Sequence, residues 1–186
     1  MKIAVSGSIG SGKSEACNYL RRIGYDVFDC DEENRRLLEK DNEGYLEVKK
    51  QFPECFDEEG LNKKKLAALV FSDEDKRKQL EGIMHPLILK KMNERRDDPL
   101  FAEVPLLFEC DWDVYFDHNI LIYSDEKILH ERLRERGMSE EEIISRLQAQ
   151  MSVEEKKKRA DIIIENNGTL DDLYQAIDDC LKVILC

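Results

Sequence analysis

Eleven residues near the start, Ser6 to Ala16 (SGSIGSGKSEA), hold three glycines, four serines and one lysine directly after the apolar run IAV. Within them Gly7 to Ser14 satisfies the spacing G-x-x-x-x-G-K-[ST] in full. Such a segment works only between a strand and a helix. There, glycines let successive backbone N–H groups turn toward phosphate oxygens, and the helix N-terminus adds positive potential at the same point. In this reading Lys13 reaches the β- and γ-phosphates of a nucleoside triphosphate and the Ser14 hydroxyl ligates Mg²⁺. A flexible Gly/Ser turn is the alternative, and the strand before and helix after argue against it.

The remaining composition limits what surrounds this loop. The chain's 186 residues are one domain's worth with room for a small insertion. Apolar residues make up 41% and charged residues 38%, as in soluble globular proteins. No apolar run approaches the roughly 20 residues of a membrane span, and MKIAVSG has too short an apolar segment for a secretory signal. A cytoplasmic protein is expected. The six cysteines, Cys17, Cys30, Cys55, Cys110, Cys180 and Cys186, include no CxxC pair and read as reduced thiols. A net charge of −12 repels a phosphate backbone, which disfavours nucleic acid as a partner while leaving a local anion pocket open.

The coarse pattern alternates strand and helix. Lys2 to Ser6 and Tyr25 to Asp29 read as strands, with a helix from Lys13 to Ile23 between them. From about Asp31 to Arg96 the pattern is helical and highly charged, with Asn62 placed to cap KKKLAALVF and Ser72 to cap the next segment. Strand signals return over Leu100 to Leu107 and His118 to Ser124. Ser139 and Glu142 have capping-box spacing, as do Ser152 with Glu155 and Thr169 with Asp172. The run ADIII, Ala160 to Ile164, suggests a strand buried on both faces. Strands separated by helices predict a parallel sheet covered on both sides.

Size and motifs narrow the class of nucleotide protein. No N-K-x-D motif is present, nor a D-x-x-G after the third strand, so a small metabolite kinase is expected rather than a GTPase. Asp29-Cys30-Asp31 closes the second strand at the edge where the phosphate loop lies, and strand alternation would put Asp29 and Asp31 on one side. A kinase acting on a hydroxyl needs a carboxylate there to accept or orient the proton. Asp31 reads equally as a helix N-cap, and the two roles are compatible.

SGSIGSGKS, the DCD after strand two, LEGIMHP at Leu80 to Pro86, VPLLFE at Val104 to Glu109, the Arg132 to Gln150 segment and ADIIIENNG at Ala160 to Gly168 stand in one order. In that order the chain resembles the dephospho-CoA kinases over nearly its whole length. The resemblance implies transfer of the ATP γ-phosphoryl group to the ribose 3′-hydroxyl of dephospho-CoA, the last step of coenzyme A synthesis, with Mg²⁺ accompanying ATP.

It also implies site residues. Gly7, Gly10, Ser11, Gly12, Lys13, Ser14 and Glu15 correspond to the ATP loop, and Asp31 to the proton acceptor of an Asp-x-Asp element. Lys63, His85, Pro86 and Leu106 fall on the acceptor side with Asp31. His85-Pro86 also reads as a packed turn. Arg132 and Arg136 resemble lid arginines over the phosphates, with Arg146 and Gln150 at the lid's closing end, although arginines on a Glu-rich helix are also an ordinary solvated face. Asn166 matches the loop beside adenine, or shapes the turn into the last helix.

Several positions depart from the family pattern. Glu103 stands where Asp is usual; it can hold a Mg²⁺-bound water, with a reach changed by one methylene. Lys63 replaces an Arg, a point charge for a fork. Ser8 replaces a glycine, the interval from Arg136 to Ser139 is one residue short, and the central insertion is trimmed. The run Lys156 to Arg159 reads as a solvated or lid-related surface, and Trp112 as a loop anchor against the core.

The expected protein is an α/β P-loop NTPase fold. It has a five-stranded parallel sheet within a single kinase domain (1–186), a helical substrate-binding insertion (31–97) and a helical lid (126–158). ATP and dephospho-CoA are the expected partners, with no nucleic acid, membrane or obligatory protein partner. The competing functions are a P-loop kinase of another metabolite or nucleotide, and a nucleotide-sensing module without turnover.

Overall fold

The computed structural model describes residues 1–185; Cys186 lies outside the described residues. The chain divides into two compact units, Met1–Asp29 with Asp97–Cys186, and Cys30–Arg96.

The first unit is built on a five-stranded sheet in which every pairing is parallel. Its strands are β1 (Lys2–Gly7), β2 (Val27–Asp29), β5 (Leu100–Glu103), β6 (His118–Tyr123) and β7 (Ile162–Glu165). They lie in the order β2-β5-β1-β6-β7, with β3 and β4 belonging to the second unit. The most apolar strands take the middle: β5 is buried at every position and β1 at all but its first. Helices α1 (Lys13–Arg22), α6 (Glu126–Glu135), α7 (Glu140–Gln148), α8 (Val153–Arg159) and α9 (Leu170–Ile184) complete the unit. Ala16, Cys17 and Leu20 of α1 join Leu173, Ile177 and Leu181 of α9 in one core with Ile3, Val5, Phe101, Ile120 and Ile122 of the sheet. Because the strands are parallel, Gly7, Glu103, Tyr123 and Glu165 end on one edge. Beside β1 the strand order switches direction, with β5 and β2 on one flank and β6 and β7 on the other, and open α/β sheets hold ligands at such a point.

The second unit is helical apart from one small hairpin. Helices α2 (Cys30–Leu37), α3 (Glu43–Gln51) and α4 (Lys63–Ser72) pack on α5 (Glu74–Glu94), and β3 (Phe56–Asp57) pairs antiparallel with β4 (Gly60–Leu61). No helix among the described residues is long and apolar enough to cross a membrane. None of the five described cysteines forms a disulfide.

Several local expectations hold. Asn62 caps α4 by accepting from Lys65 N at 3.1 Å, and Ser139 and Thr169 form full capping boxes with Glu142 and Asp172. Others are corrected. Ser72 ends α4, its hydroxyl donating to the Ala68 and Leu69 carbonyls, and Asp73 caps α5 instead; a carboxylate accepts two N–H groups there. The strand after Leu100 stops at Glu103 because Val104-Pro105 turns the chain. Strand β7 is an edge strand, not one buried on both faces: Ile164 is 4% exposed but Ile163 is 42% exposed.

Candidate active site

The phosphate-loop backbone depends on two glycines. Gly12, immediately before α1, has φ +95°, and a Cβ there would overlap Asn166 Nδ2. Gly7 lies so close to the Ile122 carbonyl and Ser11 Oγ that no side chain fits. Helix α1 begins without a side-chain cap, leaving its first N–H groups available to an anion.

Two networks hold this loop. On one side Glu103 Oε1 accepts from Ser14 Oγ at 2.7 Å and Lys13 Nζ at 3.0 Å, while Arg21 lies 3.7 Å from Oε2. Burial pushes the Glu103 carboxyl up, but the Lys13 charge, the two hydrogen bonds and Arg21 outweigh it and hold the group below the ordinary glutamate range. Burial pushes the neighbouring Cys17 thiol well up, so it stays protonated. On the other side Asn166, 4% exposed, donates to Ser11 O at 2.8 Å. Its own backbone carbonyl accepts from Ser124 Oγ at 2.7 Å and Arg132 Nη2 at 3.0 Å. Arg132 Nη1 also donates to Ser124 Oγ at 3.0 Å. The loop is thus held from β5 through its Lys13 and Ser14 side chains, and through its backbone carbonyls by Asn166, by Ser124 Oγ donating to Ser11 O at 3.3 Å and by Arg132 Nη1 donating to Gly10 O at 3.5 Å.

Glu15 is engaged by its side chain elsewhere: Tyr174 donates its hydroxyl to Oε1 at 2.5 Å, and Arg22 lies over both Tyr174 and Tyr19. Only the backbone N–H of Glu15 belongs to the loop. Arg136 caps the C-terminus of α6 and is exposed, with no side-chain bond among the described residues. Arg132 and Arg136 therefore part company, the first half-buried in the loop's support and the second reaching into solvent. Leu106 is 45% exposed in the turn after β5.

The other expected site residues belong to the second unit, Asp31 on α2, Lys63 on α4, and His85 with Pro86 on α5. The period-two argument for Asp29 and Asp31 fails, because β2 stops at Asp29 and Cys30 already begins α2. Asp31 is an exposed residue inside the first turn of α2, not its N-cap. Lys63 opens α4. His85 and Pro86 lie within an unbroken α5, so the turn reading is corrected; burial pushes the His85 imidazole down, toward its neutral form.

A family model described as dephospho-CoA kinase matches residues 1–172. The chain belongs to the dephospho-CoA kinase family. It is 40% identical over 183 residues to the dephospho-CoA kinase of Thermus thermophilus, covering 94% of this chain and 87% of that one. The crystal structure of TT1252 from Thermus thermophilus superposes with a TM-score of 0.85 at 36% identity, covering 99% of this chain and 97% of that chain. The dephospho-CoA kinase from Campylobacter jejuni gives 0.70 at 28% identity, with 99% and 98% covered.

Within this family frame, sequence reasoning missed Ser124 and Arg21 as supports of the loop. The signal for Ser124 was its place just past the carboxyl end of HNILIY, on the edge where such sheets carry their polar site residues. In the basic run Lys156 to Arg159, Lys158 is exposed as expected, and the solvated reading is corrected at Lys156 and Arg159. Lys156 is fully buried against Glu109, and Arg159 donates to the Phe108 carbonyl at 2.7 Å and to Asp113. Both cations fasten α8 to the turn after β5, because partners far away in sequence fold beside them. Trp112 is buried, as expected of an anchor.

Proposed function

We propose that this chain transfers the γ-phosphoryl group of ATP to the ribose 3′-hydroxyl of dephospho-CoA, giving coenzyme A and ADP. The observation that carries the reading is a phosphate loop pinned at the carboxyl edge of a parallel sheet in a chain of the dephospho-CoA kinase family.

In this proposal the N–H groups from Gly10 to Glu15 cradle the ATP phosphates. Lys13, already oriented by Glu103, exchanges that carboxylate for phosphate oxygens and neutralises charge as the phosphoryl group leaves. Ser14 Oγ and the Glu103 carboxylate, hard oxygens 2.7 Å apart, suit Mg²⁺, with Ser14 as direct ligand and Glu103 acting through water. When bound with ATP, that ion supplies charge neutralisation at the phosphate oxygens. Asp31 accepts the proton of the attacking hydroxyl, and Lys63, His85, Pro86 and Leu106 contact the acceptor. Arg136, whose fork is unengaged among the described residues, closes on the transferring group, with residues 126–158 as the lid. Arg132 and Asn166 shape the ATP pocket through the loop they hold. A cytoplasmic location is part of the same proposal.

The test is ADP release with ATP and Mg²⁺ against dephospho-CoA, AMP, other nucleosides, gluconate, shikimate and pantothenate. Dephospho-CoA should give the highest kcat/KM. A higher value with any other acceptor would overturn the reading, and ATP binding without turnover on all of them would favour a nucleotide-sensing module.

A further inference from the structure

Glu109, at the end of VPLLFE, faces the buried Lys156, whose side chain is 0% exposed. Lys156 Nζ lies 2.8 Å from Glu109 Oε1, a contact of charges without hydrogen-bond alignment, and Glu109 Oε2 is buried with no hydrogen bond among the described residues. A buried ion pair so imperfectly satisfied is a weak stabiliser, since well-packed apolar residues serve as well or better. Its second contact points to a different role. Glu109 Oε1 also accepts from Met151 N at 3.0 Å, fixing the backbone between α7 and α8. One residue earlier, Gln150 Oε1 accepts from Ile9 N at 3.1 Å, inside the phosphate loop.

We infer that Glu109 is a positioning residue for the phosphate loop: by holding Met151 N it delivers the Gln150 side-chain carbonyl to the Ile9 N–H. Lys156, buried 2.8 Å from Glu109 Oε1, holds that carboxylate in place for the bond. Arg159 supports the same arrangement from the other end of α8, because its bond to the Phe108 carbonyl fixes the residue before Glu109. The turn after β5 and the α7–α8 junction thereby set the shape of the loop without touching the nucleotide. This role rests on the loop binding ATP and is independent of which acceptor receives the phosphoryl group.

The test compares two charge-free pairs with Gln150→Ala. Glu109→Leu/Lys156→Met removes the acceptor for Met151 N, whereas Glu109→Gln/Lys156→Met keeps an oxygen there. Hydrogen exchange of the Ile9 amide and ATP binding by calorimetry are read for each. Loss of the Ile9 bond is expected to speed its exchange and weaken ATP binding about 5-fold in Gln150→Ala and in the Leu/Met pair, with no further loss when the two are combined. The Gln/Met pair should restore both the exchange protection and the ATP affinity. The inference fails if the Gln/Met pair is as impaired as Gln150→Ala, or if the Leu/Met pair leaves Ile9 protected. Should the Leu/Met pair not fold, the Gln/Met result decides alone.

Discussion

Replacing Gly12 with alanine separates two costs that the structure assigns to different atoms. At φ +95° a side chain stands in the left-handed region, which costs about 1–2 kcal/mol. The new Cβ also overlaps Asn166 Nδ2 and displaces the donor that bonds Ser11 O at 2.8 Å. The displaced Asn166 amide, together with a Ser11 carbonyl that keeps only the longer bond from Ser124 Oγ at 3.3 Å, adds about 1–3 kcal/mol. Gly12→Ala should therefore destabilise the protein by about 2–5 kcal/mol, a fall in Tm of about 4–20 °C for a domain of this size. In an Asn166→Ala background the clash partner is gone, and the same substitution should cost only the backbone share of about 1–2 kcal/mol. Denaturant unfolding of the parent, the two single variants and the double variant, all without nucleotide, measures this coupling of about 1–3 kcal/mol. Equal costs of Gly12→Ala in both backgrounds would refute the claim that Asn166 is packed against the loop at this point.

Three further perturbations test separate parts of the site. Asp31→Asn should lower turnover by roughly 10²-fold or more with ATP affinity near the parent value, while stability changes by no more than about 1 kcal/mol, the worth of a charge in a helix's first turn; full activity in both Asp31→Asn and the control Asp29→Asn would remove the proposed base. Arg136→Lys keeps the charge and loses the donor fork, so single-turnover transfer should slow by roughly 10-fold or more, and an unchanged rate would leave Arg136 on the solvated surface. The Glu103 carboxyl is depressed in the folded protein, so its stabilisation is present above the unfolded value near 4.5 and is lost as pH falls through the lower folded value. The stability gap between the parent and Glu103→Gln should accordingly be widest at neutral pH and close in more acid solution; a gap independent of pH from 7 to about 3 would contradict the ion pair with Lys13.

The parts of the molecule that could be read from the sequence are those written in local chemistry. Gly7 to Ser14 announced its loop because glycine, lysine and serine are needed there at fixed spacing. The capping boxes of α7 and α9 announced themselves because Ser139 and Thr169 meet their partners only three residues away. What escaped is set by distant partners or by very short elements. Nothing near Lys156 reveals that Glu109 folds against it and draws it out of solvent. The hairpin of β3 and β4 offers only two residues per strand, too few for a period. Asp31 was assigned to a strand edge because YDVFD alternates, although the acidic run Asp31 to Glu33 is a helix's first turn, where carboxylates suit the dipole. The apolar ADIII run looked central because run length alone does not distinguish a buried strand from an edge strand with one face packed, as Ile163 and Ile164 are here.

The central claim concerns where one phosphoryl group ends, and product analysis reads that position directly. The protein is incubated with γ-¹⁸O-labelled ATP, Mg²⁺ and dephospho-CoA, and the product is examined by mass spectrometry and ³¹P NMR. The account predicts label in a monoester at the ribose 3′-oxygen, one ADP formed per coenzyme A, and roughly 10²-fold less labelled product from Asp31→Asn over the same interval. Label appearing only in inorganic phosphate, or in a monoester at any other hydroxyl, would contradict it.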